Sequence, residues 1–393
     1  MRTPSRRIGR VVAALSALTV GLSLLATQSA TAVSSTAYVV QVAPGLDVNA
    51  VLRPTVTALG GTIDQTFTDA IHGAAIHLPS TGVSRLLAVP GVASIEADKA
   101  VSITQANPSW GLDRIDQRSL PLNKAYNYKS TGAGVDAFII DTGVHLAHRD
   151  FAGRIVSGAD VVDGGPAEDC NGHGTHVAGI VGGSTYGVAK AVRIVAVRVL
   201  DCNGNGTDTS VIAGINWVIR AHTTRPAVAN LSLSGDPSPA LDAAINNLVK
   251  DGITVSVAAG NDSDDACAYS PGRTPAAITV AASDKSDAFA SYSNRGKCVD
   301  LIAPGSSIVS DGRTSTTATA TMSGTSMASP HVAGAAARYL QSHPTAKPAT
   351  VASALNAAAT TGKVTGAGQS CALVVLSCIP ATANRLLFVA PTS

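Results

Sequence analysis

The sequence predicts an α/β fold, a doubly wound and mostly parallel sheet with helices on both faces, preceded by a small α+β module. Two patterns carry this. From Trp110 onward, continuous apolar strands recur at Val135 to Ile140, Ile194 to Leu200, Val228 to Leu233 and Ile253 to Ala258, and strands that are apolar on both sides belong in a buried parallel sheet. Between them, Val211, Ile215, Val218 and Ile219 fall on one helical face, and Leu241, Ile245, Leu248 and Val249 on another. The second pattern is polar: Asp141-Thr142-Gly143 and Ala259-Gly260-Asn261 stand at strand ends, where function collects in such sheets.

Ahead of this region the chain opens with Arg2, Arg6, Arg7 and Arg10, an apolar run from Val11 to Ala26, and Ala30-Thr31-Ala32. This predicts a secretory signal over residues 1–32, with a run too short for a membrane span; the Arg6-Arg7 pair leaves a twin-arginine route as the lesser alternative. Residues 33–102 lack cysteine and read as a strand at Tyr38 to Val42, a helix at Val48 to Leu59, a strand at Gly73 to Leu78, a helix at Val83 to Ala88 and a strand at Val92 to Glu96. A unit of that size folds only marginally alone, and its place between a signal and a larger domain, residues 103–393, suggests a removable pro-segment.

With 393 residues, 45% apolar and 14% charged, the chain builds a large core, and disorder is excluded. The formal charge of +2 includes the signal's arginines; from Ile103 onward 21 basic residues balance 21 acidic ones, so no basic footprint for nucleic acid remains, and no membrane partner is expected once the signal is removed. In that region Glu168 is the one glutamate among aspartates, many beside Asn or Gly, a composition that suits turns and also calcium. Six cysteines, Cys170, Cys202, Cys267, Cys298, Cys371 and Cys378, imply disulfides in an exported chain, with fifteen pairings open to sequence alone. Their spacing does not suit zinc.

The stretch Thr321 to Pro330, T-M-S-G-T-S-M-A-S-P, places Ser326 at the mouth of an alanine-rich helix. Free N–H groups there face charge that develops on an attacked carbonyl. A serine in that position is also an ordinary N-cap, and it becomes a nucleophile only with a base and an orienting acid. Asn171 to Ala178, N-G-H-G-T-H-V-A, supplies His173 at another helix start, and Asp141 supplies the acid at a strand end. The order Asp, His, Ser in these contexts is one of the known triad orders. A metal-dependent hydrolase using His173, His176 and Asp141 is the competing class, although H-E-x-x-H is absent; His176 otherwise reads as structural. A catalytically dead binding protein is disfavoured by the presence of every catalytic residue type.

The motifs D-T-G at Asp141, G-H-G-T-H at Gly172, A-A-G-N at Ala258 and G-T-S-M-A at Gly324 resemble those of subtilisin-like serine proteases of the proteinase K and aqualysin group. The likeness runs from about Trp110 to Leu387, and the preceding module resembles the family's ferredoxin-like inhibitory pro-domain. The resemblance implies a secreted, monomeric endopeptidase that acts on protein or peptide substrates by an acyl-enzyme, with Ser326 as nucleophile, His173 as base, Asp141 as orienting acid and Asn261 as oxyanion donor. Esters are chemically accessible to the same triad. Gly204, Asn205 and Gly206 (with Asn203), and Ser232, Leu233, Ser234 and Gly235, would pair with the peptide as strands. Ala258, Ala259 and Gly260 would line an uncharged first pocket suited to apolar or aromatic residues. Two departures bear on this: S-L-S-G stands where S-L-G-G is common, and Asp208 where relatives place a tyrosine. The resemblance further implies the pairs Cys170–Cys202, Cys267–Cys298 and Cys371–Cys378. It implies structural calcium on Asp300 with the carbonyls of Pro275 and Ala277, and a second site on Asp113, Asp116, Gln117 and Asn123. At that second site Ala125 lacks a side-chain ligand that some relatives have. The pro-segment would act as chaperone and inhibitor and be cut near Ile103.

Overall fold

The computed structural model describes residues 35–68, 71–98, 103–372 and 377–390; the predicted signal and the final pro-segment residues 99–102 lie outside them. The chain divides into two compact units, Met1–Ala100 and Val101–Ser393.

In the first unit a four-stranded antiparallel sheet runs in the order Thr62–Phe67, Gly73–Pro79, Ser35–Val42, Val92–Ala97, with the helices Val48–Ala58 and Val83–Leu87 in the two crossovers. This βαββαβ order is the ferredoxin-like arrangement. Alternation along Ser35–Val42 and Gly73–Pro79 sends Val40, Ile76 and Leu78 inward against Leu52, Val56 and Leu86. Asp47 caps the first helix by accepting the Ala50 N–H at 2.8 Å. Thr62–Phe67, passed over in the sequence, is a polar edge strand.

In the second unit nine strands form one sheet in the order Thr360–Thr361, Arg385–Leu386, Leu301–Pro304, Ile278–Ser283, Thr254–Ala258, Ala227–Leu231, Asp136–Asp141, Arg193–Arg198, Ile155–Asp160. The outermost pair, Thr360–Thr361 with Arg385–Leu386, is antiparallel and the rest are parallel. Alternation divides the core between the two faces. Ala137 and Ile139 pack with Val177 and Ile180 of helix His173–Gly182 and with Met327 and Val332 of helix Thr325–Ser342. Phe138 and Ile140 pack with Val211, Ile215 and Val218 of helix Asp208–Ala221 and with Leu241 and Ile245 of helix Pro239–Lys250. The strand order reverses between Asp136–Asp141 and Ala227–Leu231, which opens a crevice at their carboxyl ends. Two strands are shorter than the apolar runs that predict them: one stops at Leu231, so Ser232 and Leu233 leave the sheet for that crevice, and another stops at Arg198.

A buried carboxyl, Asp311, lies beside the far end of the His173 helix next to the half-buried Asp150. Asp311 is fully buried, and neither of its oxygens meets a hydrogen-bond donor among the described residues. Asp150 faces it: a Cβ built on Gly183 would lie 2.3 Å from Asp150 Oδ2 and 3.1 Å from Asp311 Oδ2. His148 Nδ1 stands 3.7 Å from Asp311 Oδ1. Burial, and then the Asp150 carboxylate, push the Asp311 carboxyl up to about 9, against the opposing charge of Arg154. The folded chain therefore holds a proton that the unfolded chain releases above its ordinary value of 3.8. Such a group makes stability fall as pH rises between those two values and level off beyond the upper one. Melting temperature measured from pH 6 to 10 should decline in the native protein, and Asp311→Asn, which keeps the side chain neutral, should flatten the curve and melt higher at pH 9. A native curve with no decline removes the assignment.

Candidate active site

Asp141 ends its strand fully buried, and His173 Nδ1 lies 2.7 Å from its Oδ1. The same Oδ1 accepts the Thr142 N–H at 2.7 Å. The glycines around His173 explain this closeness. A Cβ on Gly174 would lie 2.1 Å from the Gly143 carbonyl oxygen and 3.1 Å from Asp141 Oδ1, so only glycine lets the helix start press against the D-T-G turn. Gly172, the N-cap, has φ 115° and no side chain with which to cap. Asp169 takes over that role, which the sequence reading missed: it accepts the Gly172 N–H at 2.8 Å, the Thr175 N–H at 3.0 Å and the Thr142 hydroxyl at 2.9 Å. Its signal was an aspartate just before a helix with a glycine cap. Burial works against a charged His173, but the Asp141 carboxylate, its hydrogen bond and the Asp169 charge outweigh it, and the imidazole sits above its ordinary 6.5.

Ser326 lies in the first turn of helix Thr325–Ser342. Its hydroxyl donates to the Ser232 carbonyl at 3.2 Å rather than to His173. Asn261 is oriented by Thr325, a second residue that the sequence reading missed, whose backbone N–H and hydroxyl both donate to Oδ1 at 2.8 and 3.0 Å. Because a backbone N–H can only donate, the amide oxygen is fixed and Nδ2 is turned away from Thr325. Gly324, at φ 154° and ψ 163°, occupies a region that only glycine visits readily. A Cβ there would stand 3.6 Å from both Asn261 Nδ2 and the Ser326 backbone nitrogen, so two N–H donors border the same space.

The predicted substrate segments come together in part. Gly204, Asn205 and Gly206 face Ser232, Leu233, Ser234 and Gly235 across a groove that also holds His173 and Asp208. Ser326 and Asn261 share an adjoining depression with Ser232–Gly235, Asp236, Asp262 and Tyr269. Ala258, Ala259 and Gly260 are all buried and line neither space; a Cβ built on Gly260 would lie 2.2 Å from Asn294 Nδ2 and 3.0 Å from the Ser234 hydroxyl. The disulfide Cys170–Cys202 ties the His173 approach to the groove wall, where Asn171 Nδ2 also donates to the Cys202 carbonyl at 3.0 Å. Cys267–Cys298 forms the second bridge. Cys371 stands opposite Cys378 in the ribbon of Ser370–Ala372 and Ser377–Ile379, and its side chain lies outside the described residues.

His176 is neutral and structural: burial pushes it down to about 4, and Nε2 lies 3.0 Å from the Ile308 carbonyl and 3.1 Å from that of Ala320. Among the predicted calcium ligands, Asp300 Oδ2 accepts the Thr279 N–H at 2.9 Å, and burial raises its carboxyl. Asp113 accepts the N–H groups of Asn123 and Lys124, and Gln117 Oε1 also faces the Asn123 N–H. Asp116 Oδ2 accepts the Asn127 backbone N–H at 2.7 Å, while its Oδ1 is buried without a donor among the described residues. Burial raises both aspartates, and the Asp113 charge adds to the rise at Asp116.

Several known proteins are similar to this chain. A profile of the subtilase family matches residues 132–372. An extracellular serine proteinase of Thermus sp. (strain Rt41A) is 56% identical over 313 residues, covering 79% of this chain and 76% of that protein. Alkaline serine exoprotease A of Vibrio alginolyticus is 48% identical over 77% of this chain, which spans 58% of that longer protein. The crystal structure of a cold adapted subtilisin-like serine proteinase superposes with a TM-score of 0.68 at 48% identity, covering 72% of this chain and 99% of that one.

Proposed function

Because the chain belongs to the subtilase family of serine proteinases, we propose that it is a secreted, self-processing endopeptidase in which Asp141, His173 and Ser326 form the catalytic triad. The reading rests above all on the 2.7 Å contact of His173 Nδ1 with a fully buried Asp141. With Nδ1–H donated to that carboxylate, Nε2 keeps the lone pair that receives the Ser326 proton. Ser326 Oγ then bonds to the substrate carbonyl carbon, whose oxygen takes the negative charge between Asn261 Nδ2 and the Ser326 N–H. Collapse breaks the C–N bond as His173 returns the proton to the leaving amine, and water attacking the acyl-enzyme by the same route frees the acid.

An extended peptide would pair with Ser232–Gly235 and with the 203–206 segment. A peptide N–H donated to the Ser232 carbonyl would displace the Ser326 hydroxyl from it and release that hydroxyl toward His173. The stretch Ala258–Gly260 carries no charge, which suits apolar residues before the cut. Cys371 with Cys378 would form the third disulfide. A metal hydrolase on His173 and His176 is disfavoured, since Nδ1 of the first faces Asp141 and Nε2 of the second faces two carbonyls. A covalent serine-directed inhibitor should abolish peptide hydrolysis at once, while a chelator should leave the initial rate intact; the reverse outcome revives the metal reading.

Calcium fits the oxygen-only groups Asp113, Asp116, Gln117 and Asn123, where the orphaned Asp116 Oδ1 gives it a place, and Asp300 with the Pro275 and Ala277 carbonyls is the other candidate. Bound there it would cross-link loops and supply no chemistry to the bond broken. Chelation should accordingly lower the melting temperature by several degrees with little change in the initial rate of a brief assay.

The first unit would serve as chaperone and inhibitor and be removed near Ile103 by the enzyme's own site. A Ser326→Ala precursor made in a host without relevant proteases should stay at full pro-protein length, and trimming at the same point would end the self-processing reading. Added back to mature enzyme, residues 33–102 should inhibit, because a folded module presents its tail with little ordering cost.

A further inference from the structure

Pro330 stands four residues beyond Ser326 inside the helix Thr325–Ser342. Proline has no N–H, so the Ser326 carbonyl lacks the donor that residue i+4 normally returns to it. The Ser232 hydroxyl takes that place, donating to the Ser326 carbonyl at 2.7 Å. Ser232 is in turn held by Asn230, whose Nδ2 donates to the Ser232 oxygen at 2.9 Å. Asn230 Oδ1 accepts the Ser329 hydroxyl at 2.7 Å, and Ser329 Oγ lies 2.9 Å from Ser256 Oγ. Asn230, Ser232, Ser256 and Ser329 are all at most 3% exposed, so the bonds among them are made largely out of reach of water. The chain joins two central strands to two successive turns of the Ser326 helix.

We infer that the Ser232 side chain is a positioning residue for Ser326, replacing the helical hydrogen bond that Pro330 removes and thereby fixing the first turn from which the reactive hydroxyl and its backbone N–H project. Ser232 has two separate tasks in this arrangement: its main chain meets the peptide, and its hydroxyl holds the nucleophile's backbone. The inference rests on the triad reading for Ser326, and it explains why a break in the helical ladder is tolerated one turn after the reactive residue.

The test is a double-mutant cycle on the mature enzyme, with active sites counted by a fluorophosphonate titrant. Ser232→Ala should lower kcat on the order of 10-fold, in line with small displacements of reacting groups, and leave KM within about twofold because the carbonyl that meets the peptide is kept. Pro330→Ala supplies the missing N–H, so Ser232→Ala on that background should cost less than threefold relative to Pro330→Ala alone. A general loss of packing would not be repaired in this way. If Ser232→Ala fails to fold, Asn230→Asp replaces the donor to Ser232 by an acceptor of the same shape, and the same relief by Pro330→Ala is required. Equal losses on both backgrounds, or no loss of kcat in Ser232→Ala, overturn the inference. A Ser326→Ala protein that still turns over overturns the triad reading itself, so the two failures are distinguishable.

Discussion

Ser326→Ala is expected to lower kcat on the order of 10^6-fold, a scale set by other members of the family, while the melting temperature moves by only a few degrees. The hydroxyl makes one 3.2 Å bond in the free protein, so its removal takes little from the fold and everything from the covalent step. His173→Ala should be as damaging. Asp141→Asn should cost roughly 10^4-fold, since the amide presents an N–H to His173 Nδ1 and favours the wrong tautomer. Because the three act as a unit, the double variant Ser326→Ala/His173→Ala should be scarcely slower than either single one. Steady-state kinetics on a chromogenic peptide, with circular dichroism for the fold, decide the matter. Near-native turnover in any of the three single variants sinks the triad. The pH profile adds a second check: His173 must be neutral to accept a proton, and its neighbours hold it above 6.5, so the acid limb of kcat/KM should have its midpoint above that value and move in Asp141→Asn.

The next largest effect is expected at Asn261. Thr325 fixes its amide oxygen by two bonds, so Nδ2 is already aimed and needs no reorganisation when charge develops. Removing one such donor costs about 3 to 4 kcal/mol of transition-state stabilisation, again a magnitude drawn from the family. Asn261→Ala should therefore lower kcat by roughly 10^2- to 10^3-fold with KM nearly unchanged. Asn261→Asp, isosteric but unable to donate from that side, should be at least as slow. An effect confined to KM would assign Asn261 to ground-state binding instead.

Much of the fold was legible because its signals are local. The strands at Val135, Ile194, Val228 and Ile253 are mostly apolar runs, and glycine stands where backbones must touch, as at Gly174, or where the backbone takes angles other residues avoid, as at Gly324. Ile278–Ser283 and Leu301–Pro304 were passed over because short, small-residue strands such as I-T-V-A-A-S are sheet only by virtue of their neighbours. Thr62–Phe67 and Ile155–Asp160 lie at sheet edges and hold no fully buried residue, so neither carries a continuous apolar run. At the site, Asp141, His173, Ser326 and Asn261 stand out as candidates through their motifs and contexts. Asp169, Thr325 and the Ser232 hydroxyl were not, because each acts through a hydrogen bond to a partner that only the folded chain supplies. The failed helical bond after Ser326 could have been read from Pro330, but not the identity of the group that repairs it.

The buried Asp311 carboxyl has a kinetic consequence. If His173 is the base proposed above, raising pH should free its imidazole at the same time as it weakens the fold through Asp311, so alkaline solution should increase both the turnover of each folded molecule and the number of unfolded ones. Unfolded chains are substrates for the folded ones that remain. Inactivation at high pH should then accelerate with enzyme concentration, approaching second order, and become first order when a reversible inhibitor fills the cleft. In Asp311→Asn the concentration dependence should fade, because one side chain sets how often a molecule becomes food for its neighbours.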